Sequence, residues 1–287
     1  MKGAHFMNII DLHTHTQNSP DGSDTVEAMV EKAKTLGLSA YAITDHCEVN
    51  RFYPLEYYGD IQPKEYDTYD FEKDFYISME ENTAIKERLG NSLKFLCGIE
   101  LGQAPYDYSI AEKVVSDKRL DFVIGSIHQI VGEDDFAFIS YENADAIPQL
   151  LEKYYTEVLE LCRWNKFDVL GHLTYPLRYI VGNSGIPVDM KPYEELIAES
   201  FKTLISNGKG IEINTSGLRQ KYGKTFPDLS YLKLYKDLGG EILTVGSDAH
   251  CVTDLGKGVK EGSELALAAG FKRICYFEGR KPVFVNI

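Results

Sequence analysis

The sequence predicts an α/β fold in which parallel strands alternate with helices. Seven short apolar segments predict strands at about 8–13, 39–45, 94–100, 121–127, 167–172, 209–214 and 241–247. Segments with helical spacing of apolar residues separate them, at about 26–36, 72–89, 108–118, 144–164, 190–206, 228–238 and 258–269. Continuous apolar strands joined by helices are typical of a parallel sheet that helices cover. Seven strands are one short of the usual closed barrel of eight.

The first strand leads into a pair of histidines. Ile9 and Ile10 are β-branched, as in a buried strand, and Asp11-Leu12-His13-Thr14-His15 follows them before a stretch dense in turn residues. His13 and His15 would point to the same face of a strand, roughly 7 Å apart. Two imidazoles at that spacing can bind one metal ion, each at about 2 Å. Isolated His-x-His pairs also occur on solvated strands, so the remaining strands decide between the two interpretations.

Two segments between strands have features of their own. The Asp24-x-x-Glu27 spacing resembles a capping box, which predicts Asp24 as the N-cap of the first helix, and Gly37 would end that helix. Residues 47–76 hold nine aromatic residues and two prolines. This segment is either a packed flap near the functional site or a structural excursion, since its aromatic content disfavours disorder. After the seventh strand, two short strands around Gly279 either continue the sheet or cap it.

All seven predicted strands end in polar or ionisable residues. The carboxyl ends of barrel strands form one face, which holds the chemistry in barrel enzymes. Six of the seven histidines in the chain lie at these ends, and the set favours Zn, Mn or Fe. The residues at the strand ends are His13, His15, Asp45, His46, Glu100, His128, His172, Asn214, Asp248 and His250.

Composition excludes several classes of protein. The 287 residues, of which 44% are hydrophobic, suffice for one large domain or two, and without a visible linker we expect a single domain over 1–287. The five cysteines are widely spaced, which argues against disulfides and thiolate zinc sites and favours a reducing cytoplasm. No segment is typical of a signal peptide or a membrane span. A formal net charge of −14 without a basic stripe argues against binding of long nucleic acids.

Six motifs in order, "DLHTHTQNSPDG", "ITDH", "GIE", "SIH", "GH" and "GSDAH", resemble those of the PHP (polymerase and histidinol phosphatase) superfamily. The segments "GHLTYPLRY" and "EINTSGLR" are similar to its histidinol-phosphatase branch in particular. The resemblance covers nearly the whole chain. It implies a distorted (β/α)7 barrel that holds up to three divalent metal ions.

The resemblance also assigns the metal ligands residue by residue. It implies that the first metal is bound by His13, His15, Glu100 and Asp248. It implies that the second is bound by Glu100, His128 and His172, and the third by Asp21, His46 and His250. Asp11 and Asp45 are interpreted as carboxylates that orient ligand imidazoles, although either could be a ligand itself.

A bridging Glu100 would set two metals roughly 3.5–4 Å apart, and a hydroxide between them could attack phosphorus in line. Arg178 and Arg219 follow the fifth and sixth strands, so both could bind the phosphoryl group with parallel hydrogen bonds. Their alternative is an ordinary surface ion pair. The leaving alcohol could be protonated by a metal-bound water, by Asp248 or by His250.

Three functions compete. The first is hydrolysis of a phosphomonoester, and the resemblance implies L-histidinol phosphate as substrate. The second is the same chemistry on another small phosphorylated metabolite or a nucleotide. The third is a metal-binding module without catalysis.

Overall fold

The computed structural model describes residues 8–52 and 71–287, and a parallel sheet forms its centre. The sheet order is β1-β2-β4-β5-β6-β7-β8, with β3 also paired to β4, and all of these pairings are parallel. The strands are β1 (Ile10–Asp11), β2 (Ala40–Ile43), β3 (His46–Glu48), β4 (Phe95–Gly102), β5 (Phe122–Ser126), β6 (Val169–Leu170), β7 (Gly210–Asn214) and β8 (Leu243–Gly246). Since β2 and β3 lie end to end beside β4, they occupy one position, and the seven predicted strand positions are confirmed.

The chain closes the barrel between its first and eighth strands. Leu12 N donates to Val245 O at 3.0 Å, and Asp248 N donates to His13 O at 2.7 Å. Thr14 forms a parallel bridge with Ala249 just beyond these bonds. The seam is therefore made by the segment that carries the first two histidines.

Seven α-helices lie among the described residues, and their apolar faces pack on the barrel. Their bounds confirm the helical periodicity, but the start of α1 differs from the expected capping box. Thr25, not Asp24, is the N-cap and accepts from Ala28 N, whereas Asp24 accepts from Val252 N. The helices are α1 (Val26–Leu36), α2 (Phe71–Leu89), α3 (Tyr108–Val115), α4 (Ile147–Trp164), α5 (Glu194–Ser206), α6 (Leu229–Asp237) and α7 (Val259–Ala268).

The last two strands, β9 (Arg273–Glu278) and β10 (Lys281–Asn286), form a separate antiparallel hairpin. Arg280 in its turn donates its backbone N–H to Asp121 O and its guanidinium to the buried Asp168 carboxylate. Both aspartates immediately precede barrel strands, so the hairpin caps the amino-terminal end of the barrel. It does not continue the sheet.

The aromatic-rich segment at 47–76 is only partly described. Its first residues complete β3 and a 3-10 turn at Val49–Phe52, and its last residues begin α2. Phe75 is buried in the core, whereas Tyr76 is exposed. Residues 53–70 lie outside the described part, so the proposed flap stays a prediction. In the described ranges, no helix combines the length and apolar character that crossing a membrane requires.

Candidate metal centre

The strand ends bring the nine predicted metal ligands into one cluster at the carboxyl-terminal face of the barrel. Glu100, at the end of β4, lies at its centre. Its Oε2 is 3.2 Å from His13 Nε2 and 3.0 Å from His46 Nδ1. Its Oε1 accepts from His172 Nε2 at 2.7 Å and lies 3.0 Å from His128 Nε2. The two carboxylate oxygens therefore face two different groups of histidines, as a bridging ligand requires.

The first group joins the seam of the barrel to the loop after β8. His13 and His15 point their Nε2 atoms towards Asp248 Oδ1, at 3.7 and 3.3 Å. Ligand atoms of these three residues all lie within 4.8 Å of one another. Asp248 has a left-handed backbone (φ 55°), which turns its carboxylate towards the histidines.

A third group lies at the more exposed side of the cluster. Asp21 Oδ2 is 3.1 Å from His250 Nε2, and its Oδ1 is 3.6 Å from His46 Nε2. The ring of His15 stacks between the rings of His46 and His250, with centroids 4.2 and 4.1 Å away. His15 thus belongs to both the first and the third group.

The donor atoms fit divalent metal ions. Among the described residues, five buried ring nitrogens of the cluster form no hydrogen bond; besides His172 Nδ1, there are four that have carboxylate oxygens 3.0–3.7 Å away. A buried polar atom normally has a partner, so nitrogens aimed at carboxylates without bonding them are an arrangement that could hold a cation. Nitrogen and carboxylate donors without sulfur suit Zn, Mn or Fe. These nitrogens are His13 Nε2, His15 Nε2, His46 Nδ1 and His250 Nε2.

Part of the cluster is already in the protonation state that metal binding needs. Burial, and then the neighbouring His250 and His46, lower the pKa of His15 well below its usual value. Burial would raise the pKa of Glu100, but the surrounding histidines outweigh it and hold that pKa well below its usual range. At neutral pH His15 is therefore neutral and Glu100 is ionised.

Three other candidate ligands, all histidines, have pKa values that are raised, in contrast to that of His15. Burial alone would lower the pKa of His13, but Glu212 and Glu100 raise it well above its ordinary value. The pKa of His46 is raised in the same way, chiefly by Glu100, and that of His128 rises to about 10. Without metal these rings hold protons at pH 7, so metal binding must displace them.

Two carboxylates that the sequence did not indicate contact histidines of the candidate ligand set. Glu212 on β7 is buried; its Oε1 is 2.6 Å from His13 Nδ1, and its Oε2 accepts from His172 N at 3.1 Å. Glu48 on β3 is 2.9 Å from His128 Nδ1. The available signals were weak: a charged residue within the apolar "KGIEIN", and a glutamate two residues after His46.

The position of Glu48 depends on Gly102, the last residue of β4, and on Gln103, which follows it. A Cβ at Gly102 would lie 2.1 Å from Glu48 Oε2, so only glycine admits the carboxylate at this position. Gln103, with φ 61°, donates its Nε2 to Glu48 and accepts from His128 N. Burial would raise the pKa of Glu48, but the two nearby histidines outweigh it and lower that pKa to about 2.

Asp11 and Asp45 have different partners from those expected. Asp11 accepts from Ser247 N at 2.8 Å and from its hydroxyl at 2.6 Å, so it holds the backbone beside Asp248. Asp45 accepts from Thr16 N and from the Ser19 hydroxyl, which lies 3.2 Å from His15 Nδ1. In the described contacts, Glu212 and Glu48 lie at hydrogen-bond distance from the Nδ1 atoms of His13 and His128, and Asp11 and Asp45 do not contact an imidazole in this way.

The two arginines lie in different surroundings. Arg178 Nη2 donates to Ser216 Oγ and Asp248 Oδ2, and Tyr175, Tyr179 and Phe226 surround its guanidinium at 5.1–5.9 Å. It lines the same cleft as the ligands. Arg219 donates to the carbonyls of Ser247 and Asp248 at 2.6 and 2.7 Å, and its Nε faces Asp254.

The chain matches the PHP domain model over residues 11–216. It is 28% identical to a probable histidinol-phosphatase of Thermotoga maritima over 97% of this chain and all of that protein. It is 29% identical to a probable histidinol-phosphatase of Clostridium acetobutylicum over 95% of this chain and 98% of that protein.

A histidinol phosphate phosphatase of Lactococcus lactis, crystallised with zinc, L-histidinol and phosphate, has the same fold. Its TM-score is 0.74 at 22% identity, with 97% of this chain and all of that chain covered. The predicted (β/α)7 barrel of the PHP type is therefore confirmed.

Proposed function

The chain belongs to the PHP domain family, and from this premise we propose that it is a metal-dependent phosphomonoesterase that hydrolyses L-histidinol phosphate to L-histidinol and phosphate. One observation supports this most strongly: the two oxygens of Glu100 face two separate histidine groups, and Arg178 lines the same cleft. Two adjacent cations beside an arginine are suited to phosphoryl transfer.

The proposed ligands are those implied by the resemblance, with Glu100 shared between two ions. In such a centre, bound divalent ions would activate water and neutralise the charge on the phosphoryl oxygens. The nine proposed ligands are His13, His15, Asp21, His46, Glu100, His128, His172, Asp248 and His250.

Arg178 is the proposed phosphoryl-binding residue. Its Nη2 is engaged by Ser216 and Asp248, whereas its buried Nε has no hydrogen-bond partner within the described chain. The surrounding aromatic rings hold the guanidinium in place and bury most of it, which strengthens a charge-assisted bond to phosphate.

Arg219 has a different proposed role. Because two of its nitrogens donate to consecutive carbonyls, it holds the left-handed turn at Asp248 and so positions a metal ligand. Its remaining N–H groups could still meet a phosphoryl oxygen, which keeps the predicted phosphate contact as a second role.

The test is to reconstitute the protein with zinc or manganese, measure metal per chain, and measure phosphate release. L-histidinol phosphate is compared with AMP, glucose 6-phosphate and phosphoserine. We expect the highest kcat/KM for L-histidinol phosphate, and loss of metal and activity in Glu100→Gln but not in the exposed control Glu199→Gln.

A higher kcat/KM for another phosphoester would refute the substrate and favour a phosphatase of different specificity. Full metal content without phosphate release from any compound would indicate a metal-binding module instead.

A further inference from the structure

Asn214, the last residue of β7, lies at the rim of the barrel but takes no part in the proposed chemistry. Its side-chain amide is fully buried between Ser216 and Glu212. Its Oδ1 accepts from Ser216 N at 3.0 Å and from Ser216 Oγ at 2.6 Å. Its Nδ2 donates to Glu212 Oε2 at 3.3 Å. The amide therefore connects the neighbourhood of Arg178 with the carboxylate that contacts His13.

On the arginine side, these hydrogen bonds can run in one direction only. A guanidinium has no acceptor, so Arg178 Nη2 donates to Ser216 Oγ at 2.8 Å. The Ser216 hydroxyl then gives its own hydrogen to Asn214 Oδ1. Because the backbone N–H of Ser216 bonds the same oxygen, the oxygen and nitrogen of the Asn214 amide cannot be exchanged.

On the metal side, Asn214 Nδ2 therefore acts as a donor. Glu212 Oε2 accepts from it and from His172 N, at 3.3 and 3.1 Å. Glu212 Oε1 lies 2.6 Å from His13 Nδ1, whereas Asn214 Nδ2 is 3.5 Å from that ring nitrogen. The amide thus holds the carboxylate in the orientation in which one oxygen faces His13 and the other faces His172.

The backbone of Asn214 supports the same arrangement. Its N–H donates to Phe226 O at 3.0 Å, and its carbonyl accepts from Phe226 N at 2.9 Å. The ring of Phe226 lies 5.4 Å from the Arg178 guanidinium. Since Ser216 and Glu212 are also buried, bulk water does not compete for these bonds, and hydrogen bonds in such a chain strengthen one another.

We propose that Asn214 is a positioning residue, which links the phosphoryl-binding arginine to the carboxylate that orients the metal ligands. We call this chain of hydrogen bonds the Asn214 relay; its members are Arg178, Ser216, Asn214 and Glu212. The inference rests on the proposed function, because Arg178 is the phosphoryl-binding residue there. Ser216 acts on one side only, through Arg178, whereas Asn214 acts on both sides of the relay.

The test uses zinc and inorganic phosphate as probes. Zinc affinity is measured by competition with a chromogenic chelator, and phosphate affinity of the zinc-loaded protein by calorimetry. Ser216→Ala removes the hydroxyl but leaves the Ser216 N–H on Asn214 Oδ1, and Arg178 keeps Asp248. Thr215→Val is the matched control, because it removes a neighbouring buried hydroxyl that bonds the carbonyls of Gly246 and Lys257 instead.

We expect Ser216→Ala to weaken phosphate binding by about 5- to 20-fold and to leave zinc affinity within about twofold of the wild type. Asn214→Ala should weaken the binding of both zinc and phosphate by about 5- to 20-fold. Thr215→Val should change neither by more than about twofold. If Ser216 acts through Arg178, Ser216→Ala should cost no further phosphate affinity in an Arg178→Met background.

Three results would each overturn the proposal: unchanged zinc affinity in a folded Asn214→Ala protein, additive losses of phosphate affinity in the double variant, or equal losses in the Thr215→Val control. If Asn214→Ala does not fold, the comparison of Ser216→Ala with and without Arg178 decides. No release of phosphate from L-histidinol phosphate by the wild-type protein would refute the proposed substrate only, since zinc and inorganic phosphate test the relay independently.

Discussion

Replacing Glu212 by glutamine tests whether one carboxylate positions ligands of two metal ions. Its Oε1 lies 2.6 Å from His13 Nδ1, and its Oε2 accepts from the backbone N–H of His172. His13 is a proposed ligand of the first ion and His172 of the second. The variant keeps the shape of the side chain and changes only its hydrogen bonding.

The size of the expected loss in zinc affinity follows from the number of hydrogen-bond acceptors that each side chain offers. A carboxylate offers two acceptor oxygens, whereas glutamine offers one oxygen and one NH₂ group. Whichever way the amide turns, either the ring N–H of His13 or the backbone N–H of His172 meets another donor. An unsatisfied buried donor costs about 1–3 kcal/mol, or about 5- to 150-fold in affinity. Loss of a partner of a metal ligand typically costs 10–100-fold, so we expect zinc affinity to fall by about that factor.

The assay is competition for zinc between the metal-free protein and a chromogenic chelator, with thermal melting to verify folding. Glu241→Gln is the control, because it makes the same change at an exposed position just before β8. Zinc affinity within twofold of the wild type in a folded Glu212→Gln protein would refute the reasoning.

Three further predictions follow from the described contacts. Arg178→Met should keep its zinc but lose about 10- to 100-fold in kcat/KM for the phosphomonoester. Arg219→Met should lose zinc affinity as well as activity. Metal content and kinetics are measured on both variants, and an equal loss of zinc in the two would contradict this prediction. Since three ligand histidines have raised pKa values, zinc binding at pH 7 should release protons and strengthen as pH rises. Calorimetry in two buffers of different ionisation enthalpy measures the release, and identical heats would contradict it. Arg280→Met removes the guanidinium from the buried Asp168, which among the described residues keeps Lys209 at 3.6 Å and the backbone N–H of Val123, so denaturant unfolding should show a loss of about 2–4 kcal/mol with unchanged zinc affinity. A loss below about 0.5 kcal/mol would show that the cap does not depend on this ion pair.

The positions of the strands and of the candidate ligands could be predicted because both follow from local patterns. Apolar segments marked the strands, and each ended in a polar residue at the rim. The resemblance then supplied which residues belong together, for example that Glu100 joins the two histidine groups. Local patterns alone would not have paired Asp21 with His250, since 229 positions separate them in the sequence.

The supporting contacts could not be predicted, because they depend on closure of the barrel. Glu212 meets His13 only once β7 and β1 lie near the same seam, which no local periodicity encodes. Arg219 reaches two carbonyls because Asp248 has a left-handed backbone. That conformation cannot be predicted from the presence of an aspartate in a loop. Likewise, Thr25 rather than Asp24 is the N-cap of α1, because the Asp24 side chain accepts a hydrogen bond from the backbone N–H of Val252 in a distant loop.

The seam between β1 and β8 has a consequence for the order of events during synthesis. Leu12 N donates to Val245 O, so the barrel strand that is synthesised first pairs with the barrel strand that is synthesised last. At about 5–20 residues per second, the intervening stretch takes roughly 10–50 s to translate. During that interval His13 and His15 have neither Asp248 nor the closed seam to hold them. The nascent chain thus cannot complete the first proposed metal group until the barrel is almost fully made, so metal binding at that group would have to follow closure of the seam.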